Sequence, residues 1–286
     1  MIQSDDAIKD ADFPKRNKAV IILTYSFPPD NRISALRPFK MAEAFSKKGW
    51  DVHVLRCENN GADKNGWKDV SDFAVDSYSA SWISGVLAGG KKGVLRSSIL
   101  LKLLRRFFFP DHTFLLKKQM KSALEKFVSE ISPSCLVSIS YPFVSHVVAN
   151  NIVGLSDVPV WVADNRDMWA GNPYRGFGLF PGLLERKIEK DCFRNANICS
   201  FASEETRKIY ELRYGLCNTL TVLNGYEGAV SESDGVISKS KSLKFVHTGS
   251  LYDGKRVIEP LLEAVEKIVS RLNVKCEILL YGNGCS

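Results

Sequence analysis

No stretch of the 286 residues holds the ~18–20 uncharged apolar positions that a membrane-spanning helix needs. The opening residues, MIQSDDAIKDADF, are acidic where a secretory signal is basic and then apolar, so no signal peptide is expected. The seven cysteines are scattered, odd in number and without a CxxC pair, which argues against a zinc site or a disulfide framework. Internal repeats and low-complexity tracts are missing too. Neither GxGxxG nor GxxxxGK[ST] occurs, which disfavours a nicotinamide or flavin Rossmann site and a P-loop. What remains is a chain 45% hydrophobic and 25% charged, long enough for about two domains with cores. A soluble, cytoplasmic α/β protein is expected.

The formal charge is +7, but it is not spread evenly. Between Lys91 and Lys126 lie ten of the 39 Lys and Arg, against Asp111 and Glu125, so this segment is +8 and the remainder −1. Projected as a helix, residues 95–109 put Leu103, Leu104, Phe107 and Phe108 on one broad side and Lys102, Arg105 and Arg106 on the other. Such a helix can lie in a membrane interface with its cations near anionic lipid, or pack on a core with a solvated basic face. No nucleic-acid module is recognisable, and nucleic acid is not an expected partner.

Residues 18–25, KAVIILTY, are a short β-branched apolar run suited to a strand buried on both faces. SFPPDNRIS is a loop, followed by a helix over 33–48 with Leu36, Phe39, Ala42, Ala44 and Phe45 inside and Gly49 as its stop. A second strand is expected at 51–57, completing a right-handed βαβ unit. Alternation continues: strands at 73–78, 135–140, 158–164, 197–202 and 219–224, and helices at 113–131, 144–152, 181–195 and 203–214, the last capped by Ser203. This is the pattern of a doubly wound parallel sheet. Residues 226–242, rich in Gly, Ser and charge, form the best linker candidate, after which a second βαβ unit begins at 243. Residues 1–17 are an N-terminal tail and 18–225 the first α/β domain.

Ligands of open α/β sheets bind beyond the carboxyl ends of the strands. One such loop reads DNRDMWAGNPYRG, from Asp164. A carboxylate there can orient a sugar hydroxyl or move a proton, and Arg166 can hold an anion. The plainer reading is an Asp–Arg pair that fixes the loop. Another loop, HTGSLYDGKR (247–256), sets glycines and a Lys-Arg pair before a helix, an arrangement suited to phosphate or to an ordinary βα turn. His53 lies within a strand and reads as structural. His112 and His146 have no acid at an informative spacing, and His247 faces either a cleft or the core.

Taken in order, VIILTYSFPPDNRISALRPFKMAEAFSKKGWDVHVL, VADNRDMW, EKDCFRNANICSFASEETRKIY, VLNGY and FVHTGSLYDGKRVIEPLLEAV resemble the retaining glycosyltransferases of family 4. The resemblance spans 18–284 and points to members that build surface polysaccharides such as lipopolysaccharide. It implies a GT-B architecture, with an N-terminal acceptor domain, a C-terminal donor domain and reaction in the cleft between them. The donor would be a nucleoside-diphosphate (NDP) sugar, used as co-substrate without a metal or other cofactor. The acceptor would be lipid-linked, which places the protein peripherally on the inner face of the cell membrane and gives Leu103, Arg105, Arg106, Phe107 and Phe108 to the lipid.

The resemblance also implies roles. Lys255 would stabilise charge on the leaving nucleoside diphosphate, among donor-binding residues Gly249, Ser250, Arg256, Gly282 and Gly284. Arg166 and Asp167 stand where many relatives carry a His-Asp pair, and Asp164 and Trp169 would face the acceptor. Where the family has a glycine pair in its first loop, this chain has Asn31-Arg32-Ile33-Ser34, so Arg32 would substitute a side chain for that donor contact. The family's E-x(7)-E motif would fall beyond Gly284, so residues 243–286 are expected to be an incomplete start of the donor domain. Two alternatives follow: an inactive, truncated remnant or acceptor-binding module, and a non-hydrolysing sugar-nucleotide epimerase of the same architecture.

Overall fold

The computed structural model describes residues 18–30, 32–58, 73–79, 112–156, 158–172, 179–225, 242–249, 257–272 and 275–282. The chain divides into two compact units, 1–225 and 226–286.

In the first unit, β1 (Ala19–Leu23) leads through a 3-10 turn (Ile33–Ala35) into α1 (Leu36–Lys47), and β2 (Asp51–Glu58) and β3 (Ala74–Ser79) follow. A second 3-10 turn (His112–Leu116) opens α2 (Lys117–Ile131), then β4 (Cys135–Ile139), α3 (Val144–Val153), β5 (Val160–Asn165) and α4 (Leu179–Asn195). The unit ends with β6 (Ile198–Phe201), α5 (Glu204–Tyr214) and β7 (Thr219–Thr221). All seven strands are parallel in the order β3-β2-β1-β4-β5-β6-β7. The order reverses between β1 and β4, so the crevice beyond their carboxyl ends is the topological switch point.

β1 is buried along its whole length, and its residues alternate between two apolar layers as a strand's period of two requires. Val20 and Ile22 pack with Phe39 and Ala42 of α1. Ile21 and Leu23 belong to the larger layer, with Met120 and Leu124 of α2, Val148 of α3, Phe193 of α4 and Tyr210 of α5. The expected apolar stripe of α1 is therefore present, although Ala44 is exposed and Arg37 is buried in its place. Gly49, at φ 75°, ends the helix. Ser203 caps α5 by accepting from the amide of Thr206 at 3.1 Å.

β7 is three residues long, where the sequence suggested six. Val222 keeps one sheet bond through its amide, to the carbonyl of Phe201, but its carbonyl turns to Arg37. The basic helix expected at 95–109 and residues 226–241 of the expected linker lie outside the described residues, while Ser242 already belongs to the following strand. No helix among the described residues is long and apolar enough to cross a membrane.

The second unit contains β8 (Ser242–Thr248), α6 (Glu259–Leu272) and β9 (Lys275–Tyr281), with β8 and β9 parallel. It is the βαβ unit expected from the sequence.

Candidate functional site

The carboxyl end of β5 delivers Asp164, Asn165, Arg166 and Asp167 in succession, and their surroundings differ sharply. Asp164 is fully buried. Its carboxylate accepts from Arg37 Nε at 2.7 Å, Arg37 Nη2 at 2.6 Å and Ser200 Oγ at 2.6 Å. Arg37 then donates through Nη1 to the Val222 carbonyl at 2.8 Å and to Asn224 Oδ1 at 3.1 Å. An Asp–Arg pair does form, but its arginine comes from α1 rather than from the loop. Asp164 thus ties α1, β5, β6 and the chain after β7 together, which corrects its expected place beside an acceptor. With no solvent exposure and three bonds already made inside the fold, the carboxylate is out of reach of a ligand.

Trp169 is the second correction. It is wholly buried, stacks on Phe143 with ring centroids 4.8 Å apart, and meets Phe193 at 6.1 Å. A side chain this large and apolar folds back under its loop, because the layer formed by α3 and α4 offers it a dry surface.

The same loop is clamped from below. Glu189 on α4 accepts from the Ala170 amide at 2.9 Å, from Tyr210 at 2.6 Å and from the hydroxyl of Tyr214. Tyr210 also accepts from the Trp169 amide at 2.8 Å, and Arg213 donates to the Ala170 carbonyl at 2.8 Å. Burial raises the Glu189 carboxyl above its ordinary value despite these bonds, and it raises the Tyr210 hydroxyl too. The sequence reading missed this clamp. Its members lie on separate helices at spacings that look like ordinary surface residues, so no local signal marks them.

Arg166 and Asp167 emerge from this rigid base. Asp167 is exposed and Arg166 half-buried, and neither makes a hydrogen bond or ion pair among the described residues. Arg166 borders a cavity of about 290 Å³ with an otherwise mostly apolar lining that includes Ile33, Met41 and Val222. Arg37 and Lys40 also line it. Arg37 is already committed as described, and Lys40 pairs with Glu43 at 2.8 Å. His146 on α3 sits near the carboxyl end of β5, fully buried between Ser138 Oγ (2.7 Å) and Asn165 Oδ1 (3.1 Å). Burial pushes its imidazole down to about 4, which keeps it neutral and structural.

On the loop after β1, Arg32 is about half exposed and paired with Asp30. In the second unit, Gly249 and Gly282 lie side by side at the carboxyl ends of β8 and β9. The Gly249 amide bonds the Tyr281 carbonyl at 2.8 Å. Gly282 has φ 153°, and a Cβ added there would fall 2.1 Å from the Gly249 carbonyl oxygen, so no side chain fits. Ser250, Lys255, Arg256 and Gly284 lie outside the described residues, as do Leu103, Arg105, Arg106, Phe107 and Phe108. Among the described residues no group of three or more His, Cys, Asp or Glu side chains converges as a metal cage would. The described cysteines are free, and burial pushes Cys57, Cys135, Cys192 and Cys199 up to about 12, which leaves them unreactive.

No family model matches the chain, and no match was found among curated proteins. Solved structures do resemble it. Sucrose-phosphate synthase from Thermosynechococcus elongatus superposes with a TM-score of 0.53 at 11% identity, over 93% of this chain and 71% of the synthase. The fold is of the GT-B type. Two further structures are similar at lower scores. The spinosyn rhamnosyltransferase SpnG, complexed with thymidine diphosphate, gives 0.45 at 11% identity over 92% of this chain, which spans 65% of SpnG. UGT89C1 from Arabidopsis thaliana, complexed with UDP-L-rhamnose, gives 0.46 at 10% identity over 92% of this chain and 70% of that one.

Proposed function

We propose that the protein is a glycosyltransferase that moves a sugar from an NDP-sugar to a lipid-linked or surface-polysaccharide acceptor with retention, as its resemblance to family 4 implies. The observation that carries this reading is the apposition of Gly249 and Gly282 at the strand ends of a βαβ unit, within a chain of GT-B fold. Gly282 leaves no room for a Cβ beside Gly249, so a phosphate can come close to the backbone at these strand ends. Lys255, six residues beyond Gly249, supplies the cation that stabilises charge on the departing nucleoside diphosphate. We assign Gly249, Ser250, Arg256, Gly282 and Gly284 to donor binding and, as the resemblance implies, Arg32 to a phosphate.

Among the described residues of the β5 loop in the first unit, Arg166 and Asp167 are side chains left free to meet substrate. We assign them to the reacting sugar, Arg166 through its charge and Asp167 through hydrogen bonding to a hydroxyl.

Calorimetric titration with UDP, GDP, TDP and their sugars tests the donor assignment. At least one nucleotide should bind, and Lys255→Ala should weaken it by about tenfold, the loss of one charge-assisted contact. If none of the nucleotides binds, the transferase reading fails.

The basic, amphipathic spacing of 95–109 supports contact with anionic membrane. Flotation with vesicles of phosphatidylglycerol should recover the protein, and Leu103→Asp with Phe107→Asp should abolish recovery. Equal recovery of both forms would remove the membrane from the proposal.

A further inference from the structure

The loop after β1 contains a small, fully interlocked arrangement. Asp30 is 5% exposed, although it is a carboxylate on a loop. It accepts from the Arg32 amide at 3.2 Å, from Arg32 Nε at 2.8 Å and from Arg32 Nη2. The Tyr25 ring lies 5.3 Å from Arg32 Cζ, within reach of a cation–π contact. Ser26 and Ser34 close the loop across its base at 3.0 Å.

The division of the guanidinium matters. Its Nε edge is consumed by Asp30 and one face by Tyr25, while Nη1 bonds no carboxylate or carbonyl among the described residues. The Asp30 side chain is 6% exposed and that of Arg32 44%, so the pair is anchored inside and open outside. Burial works against a charged Asp30, but its bonds to Arg32 prevail and hold the carboxyl below its ordinary value. An exposed ion pair formed merely to decorate a loop has no need of a buried carboxylate, a backbone bond and an aromatic platform together. The loop also follows β1, one of the two strands that flank the switch point.

We propose that Asp30 and Tyr25 are positioning residues that hold the Arg32 guanidinium with its Nη1 edge outward, ready to take a diphosphate-type anion through paired N–H donors. The identity of that anion as part of a nucleotide sugar rests on the glycosyltransferase reading above. The holding action does not. A guanidinium fork matches two phosphate oxygens at once, and fixing it beforehand removes the rotamer freedom that a half-exposed arginine otherwise loses on binding.

Charge alone and orientation predict opposite signs for one substitution. Asp30→Asn removes a negative charge beside the anion, so simple electrostatics tightens binding. If Asp30 acts by orienting Arg32, the same change weakens it. The experiment is calorimetric titration of inorganic pyrophosphate, and separately of UDP and GDP, into the full chain and into Asp30→Asn, Tyr25→Phe and Arg32→Lys. Far-UV circular dichroism and melting curves establish that each variant is folded. Tyr25→Phe keeps the ring in the core and so provides a variant in which loss of folding is not expected.

Arg32→Lys should weaken pyrophosphate by about tenfold, Asp30→Asn by about fivefold and Tyr25→Phe by about twofold, the scale of one charge-assisted bond and of its partial misalignment. Tighter or unchanged binding by folded Asp30→Asn overturns the proposal. So does a wild-type chain that ignores pyrophosphate, or an Arg32→Lys variant that binds it equally well. Pyrophosphate binding with this order of variants, but no nucleotide binding, sinks the nucleotide-sugar reading and upholds the positioning role. Nucleotide binding that Asp30→Asn does not weaken has the reverse meaning.

Discussion

Replacing Asp164 by Asn should lower the unfolding free energy of the first unit by about 3–5 kcal/mol, the cost of stranding one member of a buried ion pair. The geometry explains the size of the effect. Arg37 and Asp164 have side chains 7% and 0% exposed, so the guanidinium left behind cannot recover its charge partner from water. An amide at 164 offers one oxygen where the carboxylate offers two, and its NH2 group faces donors from Arg37 and Ser200. Arg37 would also loosen its hold on Val222 and Asn224, and the end of the first unit would fray.

All five tryptophans lie before Gly225, so their fluorescence in a urea titration reports on the first unit. The expected result is a lower midpoint at nearly unchanged slope. Removing both charges together, as Arg37→Met with Asp164→Leu, should recover much of the loss, because no unpaired ion remains. A single-variant loss below about 1 kcal/mol would show that water reaches the pair.

Trp169→Ala should cost a similar ~3–5 kcal/mol, within the range for deleting a large buried aromatic and leaving a cavity. The indole has no solvent exposure, and it loses a stacked contact with Phe143 and an edge contact with Phe193. Trp169→Phe should cost less than about 2 kcal/mol. It keeps a ring in the stack, and it removes an indole Nε1 that has no hydrogen-bond partner. Urea unfolding followed by circular dichroism measures both. An acceptor-facing tryptophan would behave differently, with stability within about 0.5 kcal/mol of the parent and the effect confined to substrate binding.

Much of the framework was open to a reading of sequence because its signals are local. KAVIILTY alternates between two layers, Gly49 stops α1, Ser203 caps α5, and turn-rich stretches separate the strands. The positions of Arg166, Asp167, Gly249 and Gly282 at strand ends followed from the same alternation. Side-chain roles at the β5 loop did not. Asp164 and Arg166 stand two residues apart, yet one is sealed in the fold and the other faces a cavity. Their difference comes from Arg37, 127 residues away in sequence from Asp164. The clamp on the loop was equally hidden, since Glu189, Tyr210 and Arg213 converge only after α4 and α5 have packed.

By itself, then, the sequence determined the alternation of strands and helices, the parallel sheet that right-handed crossovers impose, and the loops at which chemistry can occur. These depend on periodicity, capping and turn residues within a few positions of one another. Tertiary structure alone decided which polar groups in those loops are free. It buried Asp164 and Trp169, left Arg166 and Asp167 open, and held Arg32 between Asp30 and Tyr25. Whether a carboxylate or a guanidinium is spent inside the protein or offered to a ligand depends on what packs against it, and the spacing of residues along the chain carries no record of that.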